Sequence, residues 1–110
     1  MKVQIKHSDC IEEMAKMADN SVDFTLTDIP YAEVNRSDNG LRKLDKESAD
    51  ILTFDLHTFL KEVYRVTKNN ICIFCGREQC SDIYKFFTSI EGGGTCRPIV
   101  WQKTNPSPMN

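Results

Sequence analysis

No apolar run in this chain of 110 residues approaches the roughly 20 residues of a membrane span. The amino terminus, MKVQIKHSDC, has no signal-peptide core either, so the expected location is the cytoplasm. A basic excess is also missing: 14 Lys and Arg stand against 16 Asp and Glu, a net charge of −2. That balance argues against a dedicated nucleic-acid-coating domain, but not against an enzyme that meets nucleic acid through one local cleft. Internal repeats and low-complexity tracts are absent. The two histidines, His7 and His57, have no carboxylate or cysteine grouping around them and are assigned no role. The glycines at 92–94 are not followed by Gly-Lys-Ser/Thr and open no helix, so they read as a flexible connector, not a phosphate loop.

Five cysteines in a chain without a secretion signal read as reduced thiols. Cys72 and Cys75 form a CxxC, but they lie in NNICIFCG, a β-branched and aromatic run that predicts a strand. Residues three apart in a strand point to opposite faces, so the pair is expected to be buried and structural, with no metal site.

What is there is ordinary globular material, with 40% hydrophobic and 27% charged residues. The length fits a single domain over 1–110, able to bury roughly two-thirds of its unfolded surface. The periodicity predicts strands near 2–6, 22–27, 71–75 and 97–102, and helices near 10–18, 53–67 and 77–89. Asp9 with Glu12 three residues on is a capping-box pattern, and Asn20 suits a left-handed turn after the first helix. Thr53 is the expected cap of the second helix, whose stripe carries Leu56, Phe59, Leu60, Val63 and Tyr64. The third helix shows Ile83, Phe86, Phe87 and Ile90.

Strand, helix, strand, loop and helix, strand, helix, strand is the signature of a parallel α/β sheet of about four strands with helices on both faces. Ligands in such sheets bind outside the carboxyl ends of the strands, where DIPY, CGRE and QKTNPSP are expected. Residues 32–48, rich in charge, Asn and Gly, form a long loop expected to be poorly ordered in isolation.

Asp28-Ile29-Pro30-Tyr31 would suit one chemistry at that edge. An exocyclic amino group is a poor nucleophile because its lone pair is conjugated with the ring. A carboxylate (Asp28) and a backbone carbonyl (Ile29) that accept its N–H bonds would raise its electron density and orient it. Pro30 would stiffen the turn, and Tyr31 would stack on a base swung out of its helix. The plainer reading is a strand-ending Asp-x-Pro turn with a half-exposed tyrosine.

The stretches SDCIEEMAKMADNSVDFTLTDIPY and IVWQKTNPSPMN resemble, in order and separation, the amino-terminal part of bacterial and phage DNA amino-methyltransferases. These are the adenine-N6 and cytosine-N4 enzymes, familiar from restriction-modification, that carry the catalytic motif early. The resemblance covers nearly the whole chain and implies a partial Rossmann-like methyltransferase fold, S-adenosyl-L-methionine as cofactor and double-stranded DNA as partner. Asp28, Pro30 and Tyr31 match the catalytic tetrapeptide. Ile29 stands where proline is usual, which keeps the carbonyl and reduces the rigidity. Asp9 matches an acid associated with the cofactor side, as does Asp28; for Asp9 a helix cap is the compatible plainer role. Trp101, Lys103 and Asn105 match a wall of the target-base pocket, with Pro106 and Pro108 stiffening the exit. The plainer reading of Trp101 is a core aromatic. A cation following a strand end, as at Lys103, suits a phosphate or an acid.

The family's main cofactor turn, Phe-x-Gly-x-Gly, and its target-recognition region follow the catalytic motif in this arrangement. Neither occurs in these residues. The chain is therefore expected to be the front portion of such an enzyme, inactive alone, whether as a fragment, a truncated frame or a remnant. The alternative is a catalytically incompetent association module that needs another chain. Self-association through an exposed sheet edge or helix faces is expected. Related tetrapeptides in enzymes acting on RNA or protein amides more often begin with Asn, so Asp28 favours DNA; adenine and cytosine both remain open.

Overall fold

The computed structural model describes residues 2–31 and 54–104. They form an α/β arrangement of three helices and one two-stranded parallel sheet. In chain order these are α1 (Cys10–Ala15), β1 (Val22–Asp28), α2 (Leu56–Val66), β2 (Thr67–Phe74) and α3 (Arg77–Ser89). The expected loop at 32–48 and the expected cap Thr53 lie outside the described residues. No helix among the described residues is long and apolar enough to cross a membrane.

The chain divides into two compact units, one of Met1–Thr27 with Asp55–Ile73, the other of Asp28–Phe54 with Phe74–Asn110. In the first, Asp9 starts α1 by accepting the Glu12 N–H at 3.0 Å, the cap that its spacing predicts. The helix stops at Ala15, sooner than expected, and Asn20 takes the left-handed conformation at φ 56° just before β1. Helix α1 packs on α2, whose apolar stripe buries Phe59, Leu60, Val63 and Val66. Asp55 caps α2: its carboxylate accepts the N–H groups of His57 and Thr58 and the Thr58 hydroxyl, the last at 2.6 Å.

Arg65, in the last turn of α2, binds the end of α1. Its guanidinium grips both Glu62 oxygens and donates to Asp19 and to the Met14 and Met17 carbonyls, all within 3.1 Å. Carbonyls at the end of a short helix have no partner of their own, so the arginine acts as its carboxyl-terminal cap.

The strands run parallel: Asn20 donates to Arg65 O and, further along both strands, Ile29 donates to Phe74 O at 3.2 Å. Two of the four expected strands are present. Residues 2–6 and 97–102 carry no strand, and Val3, Ile5, Ile99 and Val100 are all at least 80% exposed. An alternating sequence supplies one half of a ladder, and among the described residues no strand pairs with either segment. Pro98 also removes one donor from the second. Burial inverts on β1, where Phe24 and Leu26 are exposed while Thr25 and Thr27 are half-buried. Cys72 on β2 is likewise exposed, and Cys75, just past the strand, is half-buried, where their strand setting predicts burial for both.

In the second unit, α3 buries Ile83, Phe86 and Phe87 of the expected stripe, with the two phenylalanine rings edge to face at 5.0 Å, while Ile90 caps the helix half-buried. The connector after it turns through Gly92 and Gly94, both at φ 78°, and Gly93 N donates to Ile90 O. Positive φ is the reason glycine stands there.

Candidate functional site

The expected site residues divide between the units. Asp28, Ile29, Pro30, Tyr31, Trp101 and Lys103 belong to the second unit, Asp9 belongs to the first, and Asn105 lies outside the described residues, as do Pro106 and Pro108. The tetrapeptide leaves the carboxyl end of β1, as predicted. Asp28 is exposed there, and Ile29 is the anchor, only 4% exposed with its N–H on Phe74 O. Alternation along the strand explains the pair: an acid facing out is followed by an aliphatic facing in. Pro30 and Tyr31 are half-buried.

Gln79 holds this turn from the side. It sits in the first turn of α3, is 8% exposed, and spends both ends of its amide. Its Nε2 donates to the Pro30 carbonyl at 2.7 Å, and its Oε1 accepts the Gly76 N–H at 2.8 Å. Glycine at the cap offers no side chain to the first-turn N–H groups, and the third helical residue reaches back to bond the cap's own N–H. A buried amide with both ends bonded fixes its partners, because breaking either bond strands a polar group. The clamp takes the Pro30 carbonyl, not that of Ile29, which is the carbonyl required to orient an amine. Sequence reasoning missed Gln79. Its local signal was Gly-x-x-Gln at a helix start; its contact with Pro30 had none.

Trp101 is no core aromatic. It is 71% exposed and packs against Phe74, with ring centroids 5.5 Å apart and planes tilted by 58°. Lys103 is exposed two residues further on. Phe74 therefore touches both parts of the predicted site, Ile29 through its carbonyl and Trp101 through its ring.

Asp9 is engaged as a cap through Oδ2, while Oδ1 takes no part in that bond. Among the described residues no cluster of three His, Cys, Asp or Glu could hold a metal ion. The chemistry open to the tetrapeptide is that of an exposed carboxylate beside a rigid turn and an aromatic ring: accepting N–H groups and flanking a planar ligand. Neither a family model, nor a curated protein, nor a solved structure matches this chain.

Proposed function

We propose that this chain carries the catalytic-motif portion of an S-adenosyl-L-methionine-dependent DNA amino-methyltransferase, acting on the exocyclic amine of an everted adenine or cytosine in double-stranded DNA. The observation that supports it most is the build of the tetrapeptide: Asp28 exposed at the end of a parallel strand, Ile29 locked beneath it, and Pro30 clamped by Gln79. A turn that only ended a strand would need neither the buried anchor nor the clamp. In this reading Asp28 and the Ile29 carbonyl accept the two N–H bonds of the target amine, and the Asp28 carboxylate takes the proton released as nitrogen gains its methyl group. Tyr31 stacks on the base. The cofactor, when bound, supplies an electrophilic methyl group. The exposed carboxylate at Asp28 fits the cationic group such a molecule presents.

The fold belonging to this reading is a partial Rossmann-like sheet of about four strands, with residues 2–6 and 97–102 as strands when their neighbours are supplied. The exposure of Val3, Ile5, Ile99 and Val100 supports this, since apolar alternation without a partner is half of a sheet contact. The same exposure favours the second reading, an association module completed by another chain.

The test is methyl incorporation into duplex DNA from labelled S-adenosyl-L-methionine, with the protein at its full encoded length. Asp28→Ala should abolish incorporation without loss of the fold, since Asp28 is exposed. Tyr31→Ala should weaken binding of an everted base by about 1–3 kcal/mol. Incorporation that survives Asp28→Ala would remove Asp28 from the chemistry, and no incorporation by the unsubstituted protein would sink the enzymatic reading.

A further inference from the structure

We infer that the Phe74–Trp101 ring pair is a stacking platform for an unpaired stretch of DNA, Phe74 extending the base-facing wall that the resemblance assigns to Trp101. It rests on the preceding reading for that wall and for the choice of DNA over RNA. Trp101 and Phe74 are 71% and 38% exposed, so two large aromatic faces meet water where most such rings are covered. The rings touch without closing on each other, at 5.5 Å and 58°. That sets one ring against the other while both keep area in contact with water.

Charge identifies the occupant. The chain as a whole is acidic, yet residues 92–104 contain no Asp or Glu and carry Arg97 and Lys103, both exposed, on either side of Trp101. An aromatic flanked by cations on one exposed segment matches the repeat of a nucleic-acid strand, base faces for the rings and phosphates for the cations. An apolar peptide would use the rings and gain nothing from the cations. A duplex would offer phosphates, but its base faces are already stacked on one another. Only an unpaired strand uses both. Phe74 also fixes where that strand would lie, because its carbonyl is bonded to Ile29 N at the base of the catalytic turn. Bases next to an everted nucleotide are the ones that lose a stacking neighbour.

Trp101 is the sole tryptophan, so its own emission reports the contact. Titrating the protein with a thymidylate oligomer of about 20 nucleotides, without cofactor, should give saturable quenching; the length allows for a site of roughly 4–16 nucleotides. Phe74→Leu keeps the apolar volume and removes the ring; it should weaken binding about tenfold with unchanged far-ultraviolet dichroism. Lys103→Ala should lower the slope of log affinity against log salt by about 0.7, one phosphate on a single strand. Lys61→Ala removes the same charge from the other unit and should leave that slope unchanged. A duplex of equal length should quench less. Absence of quenching, quenching indifferent to Phe74→Leu, or stronger quenching by duplex overturns the proposal, and tighter binding of oligouridylate overturns DNA as the occupant. Methyl incorporation is read separately. Quenching without incorporation retires the enzymatic reading and keeps this one, while incorporation without quenching does the reverse.

Discussion

Glu13 shows how much a single side chain can gather. Lys6 and Lys16 bond to its carboxylate at 3.1 and 3.2 Å and Ser8 at 2.9 Å, and these contacts hold its pKa at about 2, against an ordinary 4.5. A carboxyl depressed in the folded state stabilises that state above its unfolded value, and the contribution disappears as the proton binds. The urea midpoint should therefore fall as pH drops from about 4.5 toward 2, and Glu13→Gln should flatten the curve over that window. Asp55 and Glu62 are lowered by bonds to Thr58 and Arg65, so they act in the same direction. Arg65 permits a sharper comparison. Arg65→Lys keeps the charge and loses the fork that reaches Glu62, Asp19 and two carbonyls together. A lower midpoint is expected in chemical denaturation. Equal stability would mean that solvent serves the end of α1 as well as the arginine does.

At the level of elements, the two ends of the Gln79 amide join the start of α3 to the turn after β1. Gln79→Ala leaves a buried N–H and a carbonyl without partners and should cost about 2–3 kcal/mol. Gln79→Glu preserves the acceptor for Gly76 and sets an oxygen against the Pro30 carbonyl. It should therefore be destabilising at pH 7 and recover at acid pH, when the carboxyl can donate; thermal melts at both pH values read this out. The elements legible in the sequence were those whose pattern could be satisfied locally. α2 and α3 buried most of the stripes their spacing predicts, with Leu56, Tyr64 and Ile90 half-buried, and β1 appeared where 22–27 was predicted. β2 begins earlier than its apolar run because Thr67, Lys68 and Asn69 are drawn into the ladder beside β1. Lys68 and Asn69 give no strand signal of their own. The place of the tetrapeptide at the end of β1 was legible because its residues are contiguous with the strand. Gln79 was not, because it meets Pro30 across 49 residues of chain.

For the whole molecule, the unfulfilled patterns matter more than the fulfilled ones. Val3 and Ile5 in one unit, and Ile99 and Val100 in the other, read as strands and lie open. A strand's identity resides partly in its neighbours, so sequence alone could not tell a paired edge from an unpaired one. Exposed apolar residues of this kind favour association. Sedimentation at rising concentration should show self-association, and a monomer at high concentration would mean these residues tolerate water. Val3→Lys with Ile99→Lys should shift the balance toward monomer.

The Gly76 amide has a consequence in time. Its proton lies in a buried site against the same glutamine that grips Pro30, so it can be lost to solvent only after that side chain lets go. Its isotope exchange therefore records how often the turn after β1 is unlatched. A ligand that tightened the turn would slow this one proton more than its neighbours along α3, and would be detected without any turnover.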